Sequence, residues 1–142
     1  MLALSIRQPW AFLIVNGYKT IENRSWSTML RGPIQIHAGK VMSDEDFDDA
    51  MGLLDQIHPM SRDDMIRRRA RVINGAAPLG GIVGQAEVVG CVTQSDSPWF
   101  FGPYGFVLAK ARTVLFRPCR GKLGFFDPDF TPAETKRQGE LL

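Results

Sequence analysis

Cysteine is scarce: Cys91 and Cys119 are the only two in a chain of 142 residues. Neither has a CxxC partner or a histidine cluster beside it, so the spacing signals no metal site and no redox chemistry, and both read as structural thiols. Neither a metal nor an organic cofactor is expected. No apolar run approaches the roughly 20 residues that cross a bilayer, and residues 1–7 lack a basic segment followed by an apolar one. A soluble, cytoplasmic protein without membrane contact is the expectation. The net charge, +2, is too small to hold a polyanion unless cations gather locally. What is present is an ordinary globular composition, 44% hydrophobic and 23% charged, at a length that suits one domain. With no repeat or linker, one domain is expected over 1–128, followed by a partly disordered tail over 129–142.

Local patterns divide the chain into three parts. Residues 2–6 read as a strand, and Pro9 suits the first turn of a helix whose face carries Trp10, Leu13 and Ile14 and which stops at Gly17. Short strands follow over 19–24 and around Ile34, Ile36 and Ala38. The middle is helical. Ser43 with Asp46 resembles a capping box before Phe47, Ala50, Met51 and Leu54, and Ser61 with Asp64 opens a second helix with Met65, Ile66, Ala70 and Ile73. From Gly80 the pattern is β again, in long strands over 82–93 and 106–116, with internal glycines that suit bulges or barrel corners. Between them lies an aromatic loop rich in Pro and Gly, 95–105. Strands at both ends of a helical insertion argue for an α+β fold on a small closed or nearly closed sheet.

The densest polar cluster is Gly17-Tyr18-Lys19-Thr20-Ile21-Glu22-Asn23-Arg24. In a regular strand Lys19 faces away from Glu22 and Arg24, but a bulge returns it to their side. A lysine, a carboxylate and a guanidinium in one cleft can hold a polar planar ligand, and a desolvated lysine beside a carboxylate can exchange protons near neutral pH. The plain alternative is an exposed strand with a salt bridge. Trp26 and Trp99, beside turn residues, are the preferred stacking surfaces among the aromatics, with Phe100, Phe101 and Tyr104 as further candidates. Asp96 either reads a base edge or caps a turn, and His37 reads as structural. The run Arg62, Arg67, Arg68, Arg69 and Arg71 offers guanidinium groups to a phosphate backbone, with Arg67 and Arg68 as the chosen contacts. Nearby aspartates compete for them.

Residues 17–24 match GxKxxExR at all four fixed positions, and this is the pattern that describes the ASCH family. The segments Leu4-Ser5-Ile6-Arg7-Gln8-Pro9-Trp10-Ala11 and Arg31-Gly32-Pro33-Ile34-Gln35-Ile36-His37-Ala38 also resemble the ASCH domain of the eukaryotic coactivator for which the family is named. The resemblance covers roughly residues 2–125. It implies a PUA-like β-barrel with an N-terminal helix and a helical insertion, and a cleft that accepts RNA or another nucleic-acid component. Ligand contacts are then expected at Lys19, Glu22, Arg24, Trp26 and Trp99. Some small bacterial members are amidohydrolases that remove the acetyl group of N4-acetylcytidine. Their catalytic lysine falls at Lys19; their catalytic threonine stands where this chain has Glu22, so only the lysine carries over. The resemblance thus implies binding of RNA or a modified nucleoside, with two rivals: deacylation by Lys19 and Glu22, or a protein-interaction module of a coactivator-like complex. Oligomeric state is not legible.

Overall fold

The computed structural model describes residues 1–128; the expected tail lies outside the described residues. The chain opens with strand β1 (Ala3–Ile6) and helix α1 (Trp10–Val15). Buried Gln8 caps α1, its Oε1 accepting from the Phe12 amide at 2.9 Å. The helix ends at Gly17, whose φ of +81° favours glycine. Strands β2 (Ile21–Arg24) and β3 (Gly32–Ala38) follow. Next come helices α2 (Asp44–Ile57) and α3 (Arg62–Gly75), each with its serine N-cap, Ser43 or Ser61, accepting from the amide three residues on. Long strands β4 (Gly81–Val92) and β5 (Tyr104–Pro118) and the short β6 (Phe125–Phe126) complete the order. The sequence pattern shows no β6, because two residues carry no period.

The strands form one mixed sheet in the order β2-β5-β4-β3-β1-β6, antiparallel except for β1 beside β3. The register between β4 and β5 shifts at Ile82/Gly84, Gln85/Glu87 and Val88/Gly90, so the glycines do sit at irregularities that curve the strands. Curvature brings the ends of the sheet together. Trp26, after β2, meets Phe106 of β5 and Phe125 of β6 edge-on at 5.1 and 5.6 Å. The result, as expected, is an α+β fold: a curled, barrel-like sheet with three helices among the described residues.

One core cluster fills the curl, with Leu4, Ile34, Ile36, Val88 and Phe106 from the strands and Ile14 and Val15 from α1. The helix sits very close to the sheet: a Cβ on Gly84 would lie 2.3 Å from Val15 Cγ1. A second cluster joins Leu13 of α1 to Met51 and Leu54 of α2, Val72 of α3 and Trp99 of the aromatic loop.

Helix α3 departs from the expected face. Ile66 and Ile73 are exposed, and the buried positions are Val72 and Arg68, the latter 1% exposed. The reason lies at the C-terminal end of α2, where the His58 carbonyl lies past the helix and the Leu54 carbonyl, which accepts from the His58 amide at 2.8 Å, has a second lone pair to offer. Arg68 donates to the carbonyls of His58 (2.9 Å) and Leu54 (3.4 Å) and to Asp55 (2.8 Å). The expectation that Arg68 contacts phosphate is therefore corrected: its guanidinium is a buried clamp between helices. Arg67 is exposed, but it pairs with Asp64 at 2.9 Å, and Arg69 pairs with Asp48 at 3.1 Å. The basic run is largely neutralised within the insertion. Arg68→Met should lower stability by about 3 kcal/mol, because the carbonyls lose a charged donor, whereas Arg67→Ala should change it by less than about 0.5 kcal/mol. Urea unfolding of the two variants checks the contrast; equal effects would contradict it.

Candidate functional site

The chain leaves α1 through a tight turn in which the amides of Tyr18 and Lys19 both donate to the Leu13 carbonyl, at 2.9 and 3.0 Å. Lys19 therefore enters the fold before β2 begins, free of the alternation of that strand. Its side chain turns back: Nζ donates to the Ile21 carbonyl and lies 3.5 Å from Glu22 Oε1. It also lies 5.9 Å from the centroid of the Trp10 ring. Lys19 and Glu22 are both buried, at 4% and 7% exposure.

Arg24 completes the cluster on the other carboxylate oxygen. Its Nε and Nη2 lie 3.0 and 2.9 Å from Glu22 Oε2, and Nη2 also donates to the Ser5 carbonyl at 2.6 Å. This last bond joins β2 to β1, which stand far apart in the sheet order, so it spans the seam where the curled sheet does not close by backbone pairing. The ions sit in a cavity of about 530 Å³ at that seam, which Trp10, Trp26, Asn23, Arg7 and Phe101 also line.

Burial is the largest influence on Lys19 and holds its pKa below the ordinary 10.5; Glu22 opposes this by charge and hydrogen bonding, and Arg24 adds a smaller lowering. The ammonium is thus easier to deprotonate than a surface lysine.

Of the expected ligand contacts, Lys19, Glu22, Arg24 and Trp26 come together. Trp99 does not. It is 3% exposed and packs in the helical core, and its carbonyl accepts from Asn23 at 3.0 Å. A large apolar ring in a loop that folds back on the domain is more valuable as core than as a platform. Phe101, 63% exposed, takes the place at the pocket. Asn23 is the residue that the pattern did not reveal: its Oδ1 accepts from the amides of Phe101 and Gly102 at 2.8 and 3.0 Å, fixing the aromatic loop to the rim. Asp46, noticed only as a cap residue, reaches the pocket wall and binds Trp10 Nε1 and Arg7 Nε, each at 3.3 Å. Serines rather than Asp96 hold the loop turn, with Ser95 and Ser97 accepting from the amides of Ser97 and Trp99. His37 is 1% exposed, with Nδ1 at 2.9 Å from Ser5 Oγ and Nε2 at 2.7 Å from the Cys119 carbonyl. That pairing suits the structural role expected of it.

The sequence profile of the ASCH domain matches residues 4–110. This chain belongs to the ASCH domain family. It is 30% identical over 112 residues to the human protein named activating signal cointegrator 1, covering 69% of this chain and 18% of that protein. With the mouse protein of the same name it shares 31% over 94 residues, or 66% of this chain and 15% of the relative. The chain thus spans less than a fifth of the length of these curated relatives. Among solved structures it resembles a serine-to-alanine mutant of ZmASCH from Zymomonas mobilis with a TM-score of 0.51 at 14% identity, over 99% of this chain and 94% of that one. At that identity the likeness speaks for the fold, an ASCH domain built on the same small barrel.

Two consequences can be measured. Asn23→Ala should release the loop, with faster amide exchange at Phe101 and Gly102 and a loss of about 2 kcal/mol in stability; unchanged exchange at both amides would contradict it. For Lys19 the sign follows from linkage. A lysine whose pKa is lowered by folding binds fewer protons folded than unfolded between the lowered value and 10.5. Its contribution is fully present above 10.5 and is lost as pH falls through the folded value. Wild type should therefore gain stability over Lys19→Met as pH rises through that window, read by urea unfolding at a series of pH values. A constant difference would place Lys19 in water.

Proposed function

We propose that the pocket recognises an unpaired nucleoside of RNA, or a modified nucleoside. The observation that carries this reading is the meeting of aromatic faces, Trp10, Trp26 and Phe101, with the prearranged ions Lys19, Glu22 and Arg24 in one cavity. An unpaired base offers a π-face for the rings and donors and acceptors along its edge for the ions. The cavity volume falls within the range of small-ligand sites, about 300–1,000 Å³. The resemblance to the ASCH family, with its expected nucleic-acid cleft, points the same way.

The depressed Lys19 pKa favours a second reading, hydrolysis of an N-acylated nucleoside such as N4-acetylcytidine. In that reading neutral Lys19 takes a proton from water as its oxygen adds to the acetyl carbon. The carbon–nitrogen bond then breaks, and the proton passes by way of Glu22 to the leaving amine, giving acetate and cytidine. Glu22 stands where the bacterial amidohydrolases use a threonine, so recognition without turnover remains the primary reading.

Titration with cytidine, N4-acetylcytidine and a short single-stranded RNA tests both. Phe101→Ala, at an exposed rim position of the pocket, should weaken binding about tenfold or more, from the roughly 1–3 kcal/mol of a stacked base, with an unchanged thermal melt. Chromatography of N4-acetylcytidine incubations, with Lys19→Ala as control, separates the readings. Lysine-dependent release of cytidine would establish hydrolysis, and binding without release would leave recognition. No binding and no turnover by wild type would dismiss both.

A further inference from the structure

Arg24 and Ser5 line a second concavity as well, of about 510 Å³. Its walls differ in kind from those of the aromatic pocket. Lys40, Arg120 and Lys122 line it, and no aspartate, glutamate, phenylalanine, tyrosine or tryptophan does. All three cations are exposed. They take part in no ion pair among the described residues, in contrast to Arg67, Arg68 and Arg69 of the insertion. The cations come from separate parts of the chain: Lys40 follows β3, and Arg120 and Lys122 lie between β5 and β6. The fold assembles them.

The floor brings backbone close to the ligand space. Gly39, Gly121 and Gly124 contribute to the lining, and a Cβ on Gly121 would lie 2.8 Å from His37 Cε1 and 3.3 Å from Ser5 Oγ. The Ser5–His37 pair supports this floor, both ring nitrogens of His37 being engaged. Arg24 is the shared wall. Its bonds to Glu22 and Ser5 leave from Nε and Nη2, so Nη1 has no protein partner among the described residues and keeps its donors for a ligand. Stacking surfaces in one cavity beside Arg24 and unpaired cations in the other repeat the division within a nucleotide, a planar base joined to an anionic phosphate.

We infer that the cationic cleft binds the phosphate of the nucleotide whose base occupies the aromatic pocket, so that the ligand is phosphorylated, either free or within an RNA strand. The inference rests on the nucleoside reading above and narrows it. The variant that isolates it is the triple substitution Lys40→Ala, Arg120→Ala and Lys122→Ala, at exposed positions away from the ion cluster. Calorimetric titration of cytidine, its 3′- and 5′-monophosphates and a dinucleotide should show the phosphorylated ligands binding wild type about tenfold or more tightly than cytidine. The triple variant should lose that advantage while holding cytidine as wild type does. Preference for one monophosphate points to free nucleotides, and a further gain for the dinucleotide points to an RNA strand; either supports the cleft. Equal affinity for cytidine and all phosphorylated forms, or a phosphate advantage intact in the triple variant, would overturn it. If nothing nucleosidic binds, the base pocket fails, and ³¹P NMR with inorganic phosphate decides on the cleft alone. Phosphate binding abolished by the triple substitution upholds a phosphate site, and no binding by wild type overturns it.

Discussion

The Glu22 carboxylate, gripped by Arg24 on one oxygen and approached by Lys19 on the other, is the interaction around which the site is arranged. A buried carboxylate without partners is costly, and a buried lysine equally so. Each makes the other tolerable, and Arg24 sets a guanidinium against the same carboxylate at the base of a cavity. Because Arg24 also donates to the Ser5 carbonyl, the same cluster ties β2 to β1 across the open seam of the sheet. A cavity at a barrel seam must be held open and held together at once. Here one guanidinium does both, which is why binding chemistry and fold integrity meet in residues 19–24.

The helical insertion serves the barrel indirectly. Arg67, Arg68 and Arg69, which on charge pattern alone look made for phosphate, are consumed by the insertion's own aspartates and by carbonyls at the end of α2. Its contribution to the site is an aspartate: Asp46 steadies Trp10 and Arg7 at the pocket wall. Lys40, Arg120 and Lys122, scattered along the chain, take part in no ion pair among the described residues and share a cleft that no carboxylate lines. Charge density along the chain is thus a poor guide to electrostatics in space, because acidic and basic residues close in sequence on adjoining helices neutralise one another.

The aromatic loop shows the same economy. Trp99 and Phe101 stand two residues apart, yet one is core and the other rim. Asn23, one residue before Arg24, sets this division by holding the backbone at Trp99, Phe101 and Gly102. The pocket rim is therefore built from the same short strand as its ion cluster, and loop and cluster are positioned together.

Local order was legible from the residues. Helix caps at Ser43 and Ser61, the helix stop at Gly17 and the glycine-marked bends of β4 all express short-range backbone preferences, and short-range preferences are written in neighbouring residues. The pattern over 17–24 likewise located the ion cluster, because its members are close along the chain. What the chain could not disclose depends on contacts between distant segments. Whether Lys19 meets Glu22 turned on how the Leu13 carbonyl clamps the preceding turn. Arg68 and Trp99 became buried because the end of α2 presented carbonyls and a carboxylate to the one, and the helical core presented apolar space to the other. A periodic pattern records which residues share a face of their own element; only the tertiary structure decided what that face would meet, since burial and pairing are properties of two surfaces and the sequence lists them one at a time.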